Sequence, residues 1–132
     1  MEFPSESKIW GPGIWLNIHV FALGAITMDK IYQYIEYIKF IMPKLPCNEC
    51  RNHAIEYIIN NPLEEYINIK NEKDIYIGMF KWTWIFHNTI NMRIRKNTID
   101  YDTALYMYDD PIVCSSSCAS DNTITSYSPN YN

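Results

Sequence analysis

Apolar residues recur every three or four positions along most of the chain, Pro, Asn and Asp break those stretches, and no alternating apolar and polar run is long enough for a sheet. Together these features predict an all-α protein, a four-helix bundle with a short fifth helix. Pro12 suits a first helical turn, and Ile14, Trp15, Ile18, His19 and Ala22 continue an amphipathic helix to about Ala25. Thr27-Met28-Asp29 offers a cap for a second helix whose apolar face is Ile31, Ile35, Ile38 and Met42, stopped by Pro43 and Pro46. A third carries Ile55, Ile58 and Ile59 and ends at Asn60-Asn61-Pro62. A polar connection over 62–73 with one helical turn follows, and Asp74 is placed to cap the longest helix, from 75 to about 96. Asp100 or Asp102 opens the short fifth helix, which carries Ala104, Leu105 and Met107 and runs through Tyr108.

Length and charge narrow the function. The 132 residues fit one domain, and 48% hydrophobic residues supply a real core. A net charge of −4 without a basic patch argues against nucleic-acid binding. The N-terminal Met1-Glu2-Phe3-Pro4 stretch lacks the basic-then-apolar pattern of a signal peptide, and no apolar run reaches membrane-spanning length, so the chain reads as cytoplasmic. In that reducing setting four cysteines in two close pairs, Cys47/Cys50 and Cys114/Cys118, suit redox or metal chemistry better than structural stapling.

Cys47-Asn48-Glu49-Cys50 is preceded by Pro46 and opens a segment, 51–59, that reads as helix. The partial positive charge and free N–H groups of a helix start stabilise thiolate, which makes a CxxC pair reactive. A thioredoxin-like setting needs parallel strands, which the pattern lacks. A four-thiolate zinc site joining Cys47, Cys50, Cys114 and Cys118 is a competing use of the same residues, with an unusual CxxxC second pair in a Ser-rich stretch. In the long helix His87 and Asn91 lie one turn apart, with Trp84 and Asn88 alongside; in the first helix Trp15 and His19 are spaced the same way. Taken singly each could be a satisfied core residue.

Taken together, Trp10-Gly11, Trp15-Leu16-Asn17-Ile18-His19, Pro46-Cys47-Asn48-Glu49-Cys50 and His87-Asn88-Thr89-Ile90-Asn91 with Lys96 resemble the Erv/ALR family of FAD-linked sulfhydryl oxidases, over about 10–108. The short length and the Trp-Gly start make the chain most similar to members from large DNA viruses. The resemblance implies a helical bundle that holds FAD beside the CxxC, with Gly11, Trp15, His19, His53, His87, Asn88, Asn91 and Lys96 as cofactor-binding residues and no metal. Flat rings and N–H donors suit a planar cofactor, and a lysine suits a pyrophosphate. Trp82 also falls where the family has a tryptophan.

The same resemblance implies that Cys47 faces the incoming thiolate of a protein substrate, that Cys50 passes electrons to FAD, and that oxygen receives them as hydrogen peroxide. It further implies a homodimer, located in the host cytoplasm or virion, and a shuttle disulfide, for which Cys114 and Cys118 are the candidates. The expected division is an N-terminal extension over 1–9, the oxidase domain over 10–109, and a flexible CxxxC tail over 110–132. A helical module exchanging disulfides without oxidase turnover is the alternative. Three departures stand out: Leu23 where many members have an aromatic, Arg95 where Gly is common, and no cysteines for the structural disulfide of cellular members.

Overall fold

A computed structural model describes residues 6–109. Five α-helices follow one another in that span: α1 (Ser7–Gly24), α2 (Met28–Ile41), α3 (Asn48–Asn60), α4 (Gly78–Arg93) and α5 (Tyr101–Asp109). Among the described residues there is no strand, and one isolated antiparallel bridge pairs Lys70 with Tyr76. None of the described helices is long and apolar enough to cross a membrane.

α1 starts ahead of Pro12 and so takes in residues 7–9, which sequence alone puts in an extension. Pro12 forgoes one intrahelical bond, to the carbonyl of the exposed Lys8, where water can serve the oxygen. α2 forms as its pattern indicates. The Thr27 hydroxyl accepts the Lys30 N–H (3.3 Å), Ile31, Ile35 and Ile38 are buried, and a short 3-10 turn, Met42–Lys44, ends the helix at Pro43. Tyr34 joins the buried face. Its hydroxyl lies 2.9 Å from the Ile18 carbonyl and 2.7 Å from the Thr83 hydroxyl, and Thr83 lies 2.8 Å from the Met79 carbonyl. Three contacts thus share two hydroxyl protons, a junction of α1, α2 and α4 in which burial raises the Tyr34 pKa above its ordinary value.

Two further elements differ from expectation. α3 starts at Asn48, three residues before the expected start, so the cysteine pair forms its first turn; Ile55 and Ile59 face outward, Ile59 at 70% exposure. The inward positions are Cys50, Ala54, Tyr57 and Ile58, at helical spacing, with Tyr57 packed against Trp82 and Phe86. α4 starts at Gly78, not behind Asp74. The Asn71 carboxamide oxygen accepts the Lys73 and Ile75 N–H groups, Asp74 takes a left-handed φ of 62°, and this turn closes the Lys70–Tyr76 bridge before the helix begins. Gly78 meets the backbone of Tyr66: a Cβ there would stand 1.7 Å from the Tyr66 carbonyl oxygen, a contact only glycine permits.

α4 is the central helix, with Met79, Phe80, Trp82, Thr83, Phe86, His87 and Asn91 all buried. Against it pack α1, α5 and the 3-10 turn Leu63–Tyr66. α5 is capped by Asp100, whose carboxylate accepts the Thr103 N–H (2.7 Å), and buries Ala104, Met107 and Tyr108.

Candidate functional site

The dithiol pair owes its position to the turn that precedes it. Pro43 and Pro46 bring the chain off α2, Leu45 is buried, and the Arg51 guanidinium donates to the Leu45 carbonyl (2.5 Å), tying this turn to the start of α3. Cys47 is the N-cap of α3: its backbone is extended, and its Sγ accepts the Cys50 N–H at 3.2 Å. The two cysteines are joined as a disulfide with Cα atoms 5.1 Å apart, and both are half-buried.

A cavity of about 260 Å³ opens beside Cys50 between α1, α3 and the end of α4. α1 contributes Trp10, Gly11, Ile14, Trp15 and Ile18; α3 contributes Glu49, Cys50 and His53. Phe86, Ile90 and Asn91 form the wall from α4, and Arg93 and Lys96 bring two positive charges. Cys47 is not among the lining residues, so the two sulfurs differ in what they face. A Cβ added at Gly11 would meet no other atom within 4 Å, so the space beside this lining residue is open.

Behind the Trp15 wall lies a stack of rings. The Trp15 indole lies parallel on the His87 imidazole, with centroids 3.7 Å apart and planes within 3°. His87 Nδ1 and His19 Nε2 are 2.8 Å apart, a hydrogen bond in which one ring donates and the other accepts, and His19 stacks in turn on Tyr108 at 4.1 Å. Both imidazoles are fully buried, and burial pushes the His19 pKa down to about 3, which keeps that ring neutral.

Two asparagines of α4 anchor the chain that follows it, Asn88 from outside the cavity and Asn91 from its wall. Asn88 donates to the Ile99 carbonyl (2.7 Å) and accepts the Ile99 N–H (3.2 Å), and Trp84 donates to the same carbonyl (2.8 Å), fixing the connection to α5. Asn91, buried, donates to the Asn97 carbonyl (3.0 Å) while its own backbone carbonyl accepts the Lys96 N–H (2.8 Å). It thereby sets the loop that presents Lys96. Arg95 in that loop has φ 60°, and its N–H reaches the Met92 carbonyl (3.3 Å). The two bonds together are a Schellman cap with arginine at the left-handed position that glycine favours.

Of the candidate residues, Gly11, Trp15, Cys50, His53, Asn91 and Lys96 come together around the cavity, His19 and His87 lie behind it, and Asn88 turns to Ile99. Trp82 is fully buried, its Nε1 donating to the Asn61 carbonyl (2.7 Å). Cys114 and Cys118 lie outside the described residues. Arg93, Glu49 and much of the apolar lining, Ile14, Met42, Leu45 and Phe86 among it, are members that sequence reasoning left out. The basic run Arg93-Ile94-Arg95-Lys96 was the available signal for the first.

Residues 12–109 match the model of the Erv1 / Alr family. A protein named FAD-linked sulfhydryl oxidase from African swine fever virus is 32% identical over 107 residues, 79% of this chain and 83% of the relative. A putative FAD-linked sulfhydryl oxidase of Invertebrate iridescent virus 6 is 32% identical over 99 residues, 69% of this chain and 84% of its own length. Another, of Invertebrate iridescent virus 3, is 27% identical over 109 residues, 80% and 70% of the two chains. By the extent of the family match and the identity to these relatives, the chain belongs to the Erv1/Alr family.

Proposed function

We infer that the protein is an FAD-dependent sulfhydryl oxidase that forms disulfide bonds in thiol-containing protein substrates and delivers the electrons to molecular oxygen. The observation that carries this reading is the placement of Cys50, one sulfur of a helix-start disulfide, in the wall of a cavity bounded by Trp15 and by the cations Arg93 and Lys96. That donor set suits FAD: an aromatic and aliphatic slot for the flat rings, charges for the pyrophosphate, and a sulfur at the wall. Gly11, Trp15, His53, Asn91 and Lys96 hold the cofactor, with His19 and His87 bracing Trp15 and Asn88 bracing the loop beyond α4. Bound there, FAD would supply the two-electron acceptor for the dithiol and the redox centre for reduction of oxygen to hydrogen peroxide.

The chain's own residues do the thiol chemistry. A substrate thiolate attacks Cys47, which lies away from the cavity; a mixed disulfide forms, the Cys47–Cys50 bond breaks, and Cys50 leaves as thiolate facing the cavity. The dipole of α3 favours that anion. Cys114 and Cys118 serve as the shuttle that relays electrons from folded substrates to Cys47. The oxidase works in the cytoplasm of an infected host cell or in the virion, as a homodimer supported by the exposed Leu16, Val20 and Phe21 on α1.

The purified protein tests this directly. A yellow preparation absorbing at about 450 nm that consumes oxygen when given dithiothreitol supports the oxidase; a colourless zinc protein, or a flavoprotein that takes up no oxygen, rejects it. For the shuttle, Cys114→Ser is expected to leave dithiothreitol oxidation unchanged while slowing oxidation of a reduced protein. Equal loss with both substrates argues against a relay. Sedimentation equilibrium decides the dimer, which a monomeric mass at micromolar concentration would exclude.

A further inference from the structure

The geometry points to His53 as the proton acceptor that keeps Cys50 in its thiolate form, an inference that rests on the reading of Cys50 as the sulfur facing the cofactor. Cys50 and His53 stand three residues apart on α3, which puts them on one helix face with Cβ atoms about 5–6 Å apart. Both line the same cavity, and His53 is half-buried, so its ring reaches the cavity and solvent at once. Of the three histidines in the chain, His19 and His87 are fully buried and bonded to each other. His53 is therefore the imidazole available to the disulfide.

The oxidation of a dithiol releases two electrons and two protons. When a substrate thiolate attacks Cys47, one S–S bond forms, the Cys47–Cys50 bond breaks, and the electron pair leaves on Cys50. An ordinary thiol titrates at about 8.5, so at neutral pH the released sulfur would take a proton from water and be held mostly as thiol. His53 takes that proton: the S–H bond breaks, an N–H bond forms, the electron pair stays on sulfur, and the half-exposed ring passes the proton to water. The surrounding charges fit an imidazolium–thiolate pair. Glu49 in the first turn of α3 favours the imidazolium, while Arg93 at the end of α4 and Lys96 beyond it favour the thiolate. Arg51 is turned to the Leu45 carbonyl, and the lining residues of α1 and of the turn before α3 bring no charge.

The test reads Cys50 ionisation in the full chain carrying Cys47→Ser, Cys114→Ser and Cys118→Ser, which leaves Cys50 as the sole cysteine of the four. The rate of alkylation by iodoacetamide is followed against pH with His53 present and in His53→Gln. The expected result is a midpoint moved upward in His53→Gln, with alkylation at neutral pH slowed by about tenfold; superimposed profiles overturn the proposal. A wild-type measurement stands beside it should His53→Gln fold poorly. The His53 ring titration, followed by NMR, is expected to shift upward by about half a pH unit or more when the Cys47–Cys50 disulfide is reduced. Identical midpoints in the two redox states overturn the proposal as well. Neither measurement depends on oxygen uptake, so failure here and failure of the oxidase reading are distinguishable.

Discussion

His19 sits at zero exposure with a Tyr108 ring stacked on it, the edge of Phe80 nearby, and the His87 imidazole as its hydrogen-bond partner. Burial lowers its pKa to about 3, and that makes the native protein sensitive to acid. Between the ordinary histidine value of 6.5 and about 3, the unfolded chain binds a proton that the folded one refuses. Stability is therefore fully present above that range and falls as pH drops, by about 1.4 kcal/mol per unit. Chemical denaturation of the wild type is expected to lose about 2 kcal/mol between pH 7 and pH 5 from this residue, and His19→Gln to flatten the dependence. Equal slopes in the two proteins would remove His19 as the source. Residue identity at this scale was legible in the sequence: Trp15 and His19 one turn apart, and His87 on another helix, do meet. The partner of Asn88 was not, because the path of the Ile99 backbone past α4 is a tertiary fact that no local spacing encodes.

The helices repeat that division between local and tertiary control. α2 and α5 were readable because their signals are local, a Thr27 cap and a proline stop for one and the Asp100 cap for the other. In α3 local spacing does not say which side turns inward: the disulfide and the contacts of Tyr57 with Trp82 and Phe86 decide it, and Ile55 and Ile59 are left exposed. Asp74 looked like a cap and is a turn residue, since the Asn71 side chain captures the N–H groups of Lys73 and Ile75 first. At the end of α4 the departure from the family pattern has a physical cost. Arg95 holds the left-handed position of a Schellman cap, which a side chain disfavours by about 1 kcal/mol relative to glycine. Arg95→Gly is expected to raise stability by up to about 1 kcal/mol by urea denaturation, without altering the bond from Lys96 N–H to the Asn91 carbonyl. A loss of stability would mean that the Arg95 side chain makes a contact worth more than the strain.

Across the whole molecule, α1 and α4 set the cavity walls, α3 supplies the sulfur, and α5 closes the ring stack behind Trp15 through Tyr108. Among the described residues one disulfide forms, Cys47–Cys50, and a cofactor that binds only the folded chain would add stability by mass action. The bundle architecture was visible from hydrophobic spacing alone. The cavity was not, since Met42 and Ile14 read as ordinary core positions until the helices are brought together. The central claim is that electrons pass from Cys50 into a flavin held in this cavity. Anaerobic mixing of the flavin-loaded protein with dithiothreitol tests it most directly, with the absorption at about 450 nm followed in the wild type and in Cys50→Ser. The account predicts rapid bleaching in the wild type and bleaching slowed by at least about 100-fold in a Cys50→Ser protein that retains its flavin; bleaching of that variant at the wild-type rate would contradict it.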